Sequence, residues 1–396
     1  MTSPSSASLP LRPLLLLAVG TFAIGTEGFM IAPLLPAIAR DLKVSVSAAG
    51  QLVSAFAFVY ALSSPVLTAL TANLERRLLL GGGLALFCLS NLAGWGASTF
   101  LGLMLARIAM AIGAGVYVPS ANATAGMLVP EALRTRALAI ISGGQSTAIA
   151  IGVPMAASVG DLLGWRVTFL GVALLAAAGV VGIFTLLPEL PLQRRRFSTA
   201  HYLALLRRPG IFGSLSVTML WAIGAYTMLT YLAEYLRSTL GVHGATVGYF
   251  MFAWGAAAVI GVFVSGMLSD RFGARHVIVG FLALLAAAFA SLSLTADLLS
   301  ATAAWVPVIV AIVVWGMSVW GFFPPQQSRL IGLAGADGAP IVLSINASFM
   351  YLGFAVGSAL GGLVLAHGSV SQLGWVAAGA ETIALVLMIR SPRHEA

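Results

Sequence analysis

Residues 20–39, GTFAIGTEGFMIAPLLPAIA, form an apolar stretch of about the length that crosses a lipid bilayer as a helix. A single carboxylate, Glu27, lies near the middle of this stretch. An acidic side chain at the centre of a membrane helix costs about 2.5 to 3.5 kcal/mol, so such residues usually belong to a pathway for ions or substrates. The stretch therefore predicts a membrane helix that carries a functional acid.

The composition predicts that the whole chain lies in a membrane. Of its 396 residues, 60% are hydrophobic and 8% are charged, against roughly 25% charged in an average soluble domain. The apolar runs do not alternate as barrel strands do, so helices must satisfy their backbone groups and the predicted fold is all-α. Twelve spans are predicted: 13–38, 48–70, 78–97, 101–122, 137–159, 167–187, 211–236, 245–268, 277–294, 303–323, 341–365 and 374–389.

The positions of arginine and lysine predict the orientation of these spans. With both ends of the chain in the cytoplasm, about 15 of the 20 basic residues fall on the cytoplasmic side. About four, Arg40, Lys43, Arg166 and Arg237, fall outside. This is the bias that the positive-inside rule describes. The first apolar run is too long for a cleaved signal peptide, and we expect it to remain as the first helix.

Several other functions are disfavoured by the sequence. The net charge of +8 is scattered over loops rather than gathered on one soluble face, so we expect no nucleic-acid partner. One cysteine, Cys88, lies in an apolar run, and no Cys/His cluster has metal-ligand spacing, so we expect neither a metal nor a cofactor. A GxxxxGK[ST] loop, a serine elbow and an HExxH motif are all missing, which disfavours an ATP-driven pump and an enzyme.

The longest polar interruption, residues 188–210, divides the spans six and six. It predicts a cytoplasmic tail (1–12), an N-terminal six-helix bundle (13–187), a cytoplasmic linker (188–210), a C-terminal six-helix bundle (211–389) and a second cytoplasmic tail (390–396). Features recur about 200 residues apart: for example, Gln145 and Gly152 correspond to Asn346 and Gly353. Parallel halves of this kind let a bundle rock about a central site.

The loop GMLSDRFGARHV, residues 266–277, resembles the signature of the major facilitator superfamily between the second and third helices of a half. The signature positions are Gly266, Asp270, Arg271, Gly273 and Arg275. Glycines let helices approach, an aspartate can receive a helix N-terminus, and arginines can bridge to carboxylates, so the resemblance implies a gate. The first half, TALTANLERRLL, departs from the signature at Thr68 and Ala72.

The fifth span, SGGQSTAIAIGVPMAASVGDLLGWRVTF at 142–169, resembles the antiporter motif of the twelve-span drug–proton antiporter family. The motif positions are Gly144, Gly152, Pro154 and Gly160. Small residues and a proline on one helix permit close packing and a kink. In the fourth span, Arg107 followed by Gly113 and Gly115 resembles a pattern of proton-coupled facilitators.

The opening of the chain, AIGTEGFMIAPLLPAIARDLKVSVSAAGQLVSAFAFVYALSSPVL at 23–67, most resembles the bacterial branch that includes sugar, arabinose, purine-nucleoside and chloramphenicol exporters. The resemblance implies a bacterial inner-membrane location and a small-molecule cargo, and we expect a monomer. It fixes the class of transport better than the cargo.

Glu27 and Arg107 are the candidates for proton coupling. A difference in depth of roughly 7 Å separates them, which their long side chains nearly close. We hypothesise that Glu27 faces the central cavity, stays ionised beside Arg107, and is protonated when that partner is lost. The alternatives are a purely structural carboxylate and an arginine that serves packing.

Candidate cargo contacts lie on the fifth, seventh, tenth and eleventh spans. They are Trp221, Tyr226, Trp315, Trp320, Gln145 and Asn346. The aromatic residues can instead serve packing, and Gln145 and Asn346 can instead bond across helices.

Two further carboxylates have simpler interpretations. Glu381 lies midway along the last span, which is peripheral in the resembling family, and we interpret it as a structural, partly protonated acid rather than a coupling group. Glu234 lies near the outer end of the seventh span, three residues before Arg237, and predicts an interfacial salt bridge.

Together these features predict a secondary transporter that exports a small molecule in exchange for protons by rocking its two halves. The alternatives are a proton-independent uniporter or an importer of the same fold, and a membrane receptor or enzyme that carries a buried acid.

Overall fold

The computed structural model of the chain describes residues 9–71, 74–130, 133–188, 205–335 and 338–391. Most of the predicted tails and of the predicted linker lie outside these ranges, as does Ala72. The described helices are α1 Leu11–Asp41, α2 Val46–Leu70, α3 Arg76–Trp95, α4 Phe100–Met127, α5 Arg134–Thr147, α6 Val153–Leu163, α7 Trp165–Leu186, α8 Ile211–Leu229, α9 Leu232–Leu240, α10 Ala245–Phe272, α11 Ala274–Leu298, α12 Ala301–Gly321, α13 Phe323–Ala334, α14 Ala339–His367 and α15 Ser371–Arg390.

These helices form twelve segments that are long and apolar enough to cross a membrane. The predicted all-α polytopic fold is therefore confirmed. Glycines make the tight turns between several spans: Gly164 separates α6 from α7 with φ +90°, and Gly273 separates α10 from α11 with φ +79°. Residues with a Cβ rarely adopt such angles, which explains why glycine occupies these turns.

Three spans are not regular helices, and the sequence predicts an irregularity, a kink at Pro154, only in the fifth. The seventh, predicted as one helix over 211–236, breaks into α8 and α9 at Tyr231, whose φ and ψ of −112° and 16° are not helical. The tenth is interrupted between α12 and α13, where Pro324 and Pro325 lack the backbone N–H of a helix interior. The fifth consists of α5, a π turn at Ala148–Gly152, and α6, with Pro154 in the first turn of α6.

The spans alternate in direction and so define two faces of the bundle. We name the face that carries Arg77, Arg134, Arg275 and Arg390 the Arg-rich face, and α1 begins there. The opposite face, where α1 and α6 end and α10 begins, is the Arg-poor face.

The two halves, α1–α7 and α8–α15, meet along α2 and α14 and along α6 and α10. Near the Arg-poor face, the Ser47 hydroxyl donates to the Gly362 carbonyl at 2.6 Å, and the Ser358 hydroxyl donates to the Gly50 carbonyl at 3.0 Å. These hydrogen bonds hold the halves together on the Arg-poor side.

Candidate functional site

Glu27 and Arg107 form an ion pair inside the N-terminal half, and both side chains are completely buried. Arg107 Nη1 donates to Glu27 Oε1, so the two side chains close the difference in depth between their positions on α1 and α4. Arg107 Nε also donates to the Leu52 carbonyl of α2, at 3.2 Å. The pair therefore ties three helices of one half together.

The pair is only partly saturated with hydrogen bonds. Glu27 Oε2 and Arg107 Nη2 are buried without a partner among the described residues. The Arg107 guanidinium carbon lies 4.4 Å from the centroid of the Phe56 ring, a contact that stabilises a desolvated cation. Removing one member of a buried pair leaves the other charge uncompensated, so protonation of Glu27 would change the energy of this region strongly.

A small cavity lies between the halves beside Phe56. Its volume of about 20 Å³ leaves room for about one water molecule. Aromatic rings from both halves fill the surrounding space. The Tyr226 and Phe354 rings stack with centroids 3.7 Å apart, and the ring centroids of Phe29 and Tyr226 are 6.2 Å apart. In this state the centre of the molecule is too full for a cargo molecule, which would need the halves to separate.

Glu27 does not line this cavity, contrary to the expectation that it faces it. Its carboxylate pairs with Arg107 of α4, and Phe56, which covers the Arg107 guanidinium, lines the cavity instead.

The predicted cargo residues divide into two groups. Gln145 and Tyr226 line the central cavity, and the ring centroid of Trp320 lies 6.4 Å from that of Phe29 in the other half. Trp221 is instead stacked on Phe322 with centroids 4.9 Å apart.

Trp315 packs edge-on against Trp254 and Phe289 inside the C-terminal half. Its position on α12 directs it away from the cavity. Asn346 is buried, and neither atom of its amide has a partner among the described residues, so it makes no detected bond across helices.

The glycines of the antiporter motif all face α1. A Cβ at Gly144 would meet Ala18 and Thr21, one at Gly152 would meet Thr26, and one at Gly160 would meet Leu34. The Thr21 hydroxyl also donates to the Ile141 carbonyl at 2.9 Å. The fifth span is therefore packed along most of α1, including the residue before Glu27.

The loop motif is built differently from the expectation. Gly266 has open space where a Cβ would lie, so it does not bring helices together. Asp270 and Arg271 are exposed, and no ion pair to either is found among the described residues. Arg275 donates to the Ile389 carbonyl at 2.7 Å, so it binds the end of α15 rather than a carboxylate. Gly273 provides the turn, as described above.

A larger cavity of about 720 Å³ opens between α1, α6, α9 and α10 at the Arg-poor face. We name it the vestibule. Its polar lining includes Arg40, Asp161 and His243. It also includes the expected ion pair between Glu234 and Arg237, in which the Glu234 carboxylate raises the pKa of the Arg237 guanidinium. The vestibule lies on the same side of the molecule as the hydrogen bonds between the halves.

Asp161 is a functional candidate that the sequence did not single out. Its carboxylate accepts a hydrogen bond from the Ala245 N–H at 2.9 Å, which places a negative charge at the N-terminus of α10. A Cβ at Gly244, whose φ is +64°, would lie 2.6 Å from the same carboxylate. Asp161 lies within the antiporter motif, but its partner is 84 residues away in the other half, so no local pattern could reveal the contact.

Comparison with known proteins agrees with this architecture. The sequence matches the Major Facilitator Superfamily over residues 17–339 and 235–396. It is 32% identical to the uncharacterized MFS-type transporter YbcL of Bacillus subtilis (94% of this chain, 93% of the relative). It is also 32% identical to the inner membrane transport protein YdhP of Escherichia coli K12 (97% and 96%), and 30% identical to a chloramphenicol resistance protein of Streptomyces lividans (96% and 95%).

Solved structures share the fold at low sequence identity. A bacterial homologue of the human lysosomal transporter Spinster, inward-facing and unoccupied, aligns with a TM-score of 0.73 at 18% identity, covering 96% of this chain and 95% of that chain. A point mutant of the nucleoside transporter NupG aligns with a TM-score of 0.76 at 15% identity, covering 96% and 99%. The matched sequence, the twelve spans and the two packed halves together show that this chain is a membrane transporter of the major facilitator superfamily.

Proposed function

We propose that this transporter exports a small molecule in exchange for protons, with Glu27 as the proton-binding group and Arg107 as its partner. The observation that carries the proposal is the fully buried ion pair between α1 and α4, which keeps an unused acceptor and an unused donor. When the Glu27 carboxylate takes up a proton, it loses its ion pair with Arg107. Few other groups around it compensate the free energy of that loss.

The energy of this exchange is of the size that alternating access needs. Breaking a buried ion pair by removing one partner costs about 3 to 5 kcal/mol. Moving a two-state equilibrium from 1:99 to 99:1 takes about 5.5 kcal/mol. Protonation of Glu27 therefore supplies a large part of the free energy that separates two states of the halves.

A continuous set of contacts connects Glu27 to the interface between the halves. Thr26 contacts the fifth span at Gly152, and the same span ends at α6, where Asp161 binds the N-terminus of α10. A shift of α1 after protonation would therefore act on the contacts that close the Arg-poor side.

The central cavity supports a cargo that contains a flat ring. Its walls include Phe29, Phe56, Tyr226, Tyr351 and Phe354, and few polar atoms face it. Ring faces stack favourably on such side chains. We propose a drug-like or nucleoside-like cargo in preference to a bare sugar, and the name of the Streptomyces relative is compatible with this choice.

We propose that the Arg-rich face is cytoplasmic, since the positive-inside rule assigns basic loops to that side, and that the protein lies in a bacterial inner membrane. One chain supplies both halves of the pathway, so the proposed transport unit is a monomer.

The test is efflux of a panel of labelled drugs, sugars and nucleosides, followed as uptake into everted membrane vesicles. The wild type is compared with Glu27→Gln, which keeps the side-chain size and removes the titratable group. We expect wild-type uptake to collapse when the pH gradient is dissipated. Glu27→Gln should reduce the gradient-driven uptake rate at least tenfold.

Asp41→Asn is the matched control, because Asp41 forms an exposed ion pair with Arg166 at 2.5 Å. Its uptake should equal that of the wild type. Uptake that survives collapse of the pH gradient and voltage, or full activity of Glu27→Gln, would instead identify a uniporter.

A further inference from the structure

A second buried carboxyl group, Glu381, lies in the C-terminal half and takes no part in the site described above. It is on α15, about ten residues from either end of the helix and hence roughly 15 Å from each face. Its side chain is completely buried, and neither carboxyl oxygen has a hydrogen-bond partner among the described residues.

The carboxyl group points at a glycine of α8 rather than at lipid. A Cβ on Gly224 would lie 2.6 Å from Glu381 Oε1 and 2.9 Å from the Ala377 carbonyl. The missing side chain of Gly224 therefore makes the space that the carboxyl group occupies. The contact joins α15 to α8, the helix that carries Tyr226 into the central cavity.

The described surroundings of Glu381 supply no compensating positive charge. The helices packed against α15 are α8, α11 and α14. Their titratable and basic side chains are Tyr226, Arg275, His276, Asp297, Tyr351 and His367.

The contacts found for these groups lead elsewhere. Tyr226 stacks on Phe354 and Tyr351 stacks on Tyr60. Arg275 binds the Ile389 carbonyl, about two helical turns from Glu381, and the His276 ring lies 2.8 Å from the Phe272 carbonyl. Asp297 and His367 lie at the Arg-poor ends of their helices. A buried carboxylate without a partner is strongly disfavoured relative to its neutral form, so Glu381 carries a proton in this state.

We propose that Glu381 is a second proton-binding site, one that gives up its proton to water only when the halves move apart and α8 moves away from α15. Glu27 is charged and paired in this state, whereas Glu381 is neutral and unpaired, so each half has one fully buried carboxyl group among its described residues, and the two differ in protonation state. Release leaves a carboxylate on Glu381 and transfers the proton to water that enters beside Gly224, and uptake reverses the step. The proposal rests on the proposed proton coupling and extends it to the second half.

Infrared spectroscopy of the reconstituted protein tests the proposal without a cargo molecule. We expect the wild type to show a C=O stretching band of a protonated carboxylic acid at neutral pH. Glu381→Gln should lose the intensity of one such group, and Glu27→Gln should keep it. Gly224→Ala, which crowds the carboxyl group, should shift the band without removing it, and this variant serves if Glu381→Gln does not fold.

Access to the proton is tested by transfer to heavy water. We expect the Glu381 band to shift on deuteration, and to shift at least tenfold more slowly when a disulfide between Ala157→Cys and Gly248→Cys locks the halves. Absence of the band in the wild type would show an ionised carboxylate. A band that never exchanges would show a purely structural acid, and exchange that ignores the lock would show a proton path independent of the halves. Any of these three results overturns the proposal, and none depends on whether Glu27→Gln transports.

Discussion

The ion pair of Glu27 and Arg107 responds to mutation differently from a surface ion pair, because the cost of deleting one member differs from the cost of deleting both. Both members have left water, so each depends on the other, and deleting one costs more than deleting both. An exposed pair has no such dependence, because water replaces the lost partner. This asymmetry makes a buried carboxylate sensitive to a single proton.

A double-mutant cycle measures the asymmetry. Arg107→Gln should lower stability by about 3 to 5 kcal/mol, because it leaves the Glu27 carboxylate buried and unpaired. The double variant Glu27→Gln, Arg107→Gln should recover part of that loss, since no charge remains. Thermal unfolding in detergent ranks the stability of four purified proteins: the wild type, Glu27→Gln, Arg107→Gln and the double variant.

The pair of Asp41 and Arg166 is the control for this cycle. Its side chains are 45% and 33% exposed, and Asp41→Asn, which removes the carboxylate and leaves the bonds of Arg166 to the Ala97 carbonyl in place, should cost less than about 1 kcal/mol. A double variant that is no more stable than Arg107→Gln would show that the Glu27 charge is compensated by other groups.

At the scale of elements, the packing of α1 against the fifth span is set by the absence of side chains. Gly144 faces the backbone of α1, whereas Gly152 and Gly160 face its branched side chains Thr26 and Leu34. Overpacking of such an interface typically costs about 1 to 3 kcal/mol.

Gly144 and its neighbour Gly143 provide a matched pair on α5. A Cβ at Gly144 would meet the Ala18 carbonyl, whereas one at Gly143 would meet nothing within 4 Å. Alanine in a helix is favoured over glycine by about 1 kcal/mol, so Gly143→Ala should be neutral or stabilising. Gly144→Ala should lower the melting temperature and the yield of monodisperse protein. Equal behaviour of the two variants would show that α1 and α5 are not in close contact.

At the scale of the whole molecule, alternating access requires the contact between α6 and α10 to open. A Cβ on Gly248 would lie 3.5 Å from that of Ala157, within the range of about 3.5 to 4.5 Å found across disulfides. In a Cys88→Ser background, oxidation of Ala157→Cys with Gly248→Cys should join the halves and reduce transport to the background level. Addition of a reductant should restore it.

Each single-cysteine variant serves as the control for this experiment and should be insensitive to oxidation. The extent of the cross-link is measured by counting free thiols. Full transport by completely cross-linked protein would show that the Arg-poor side does not open between α6 and α10.

The twelve spans and the family were predictable from the sequence because both depend on local runs and motifs. The partnership of Glu27 and Arg107 was nearly predictable, since depth along a span follows from residue number. The direction in which a side chain points around its helix was not predictable. Trp315 and Tyr226 have equally apolar neighbours in the sequence, and only the packing shows that Trp315 lies inside the C-terminal half and that Tyr226 lines the cavity. Contacts across the halves, such as that of Asp161, depend on tertiary structure alone.

The π turn at Ala148–Gly152 also sets the rotational phase of the fifth span. An i→i+5 turn holds one more residue than an α turn, and each residue of an α-helix rotates the chain by about 100°. If the turn became α-helical without losing a residue, everything beyond it would rotate by about that angle. Gly160 would then leave α1 and Asp161 would leave α10 in the same step. Deleting one of the five residues would instead keep both contacts, so an alignment with a relative whose fifth span is a regular helix needs a one-residue gap there to compare matching faces.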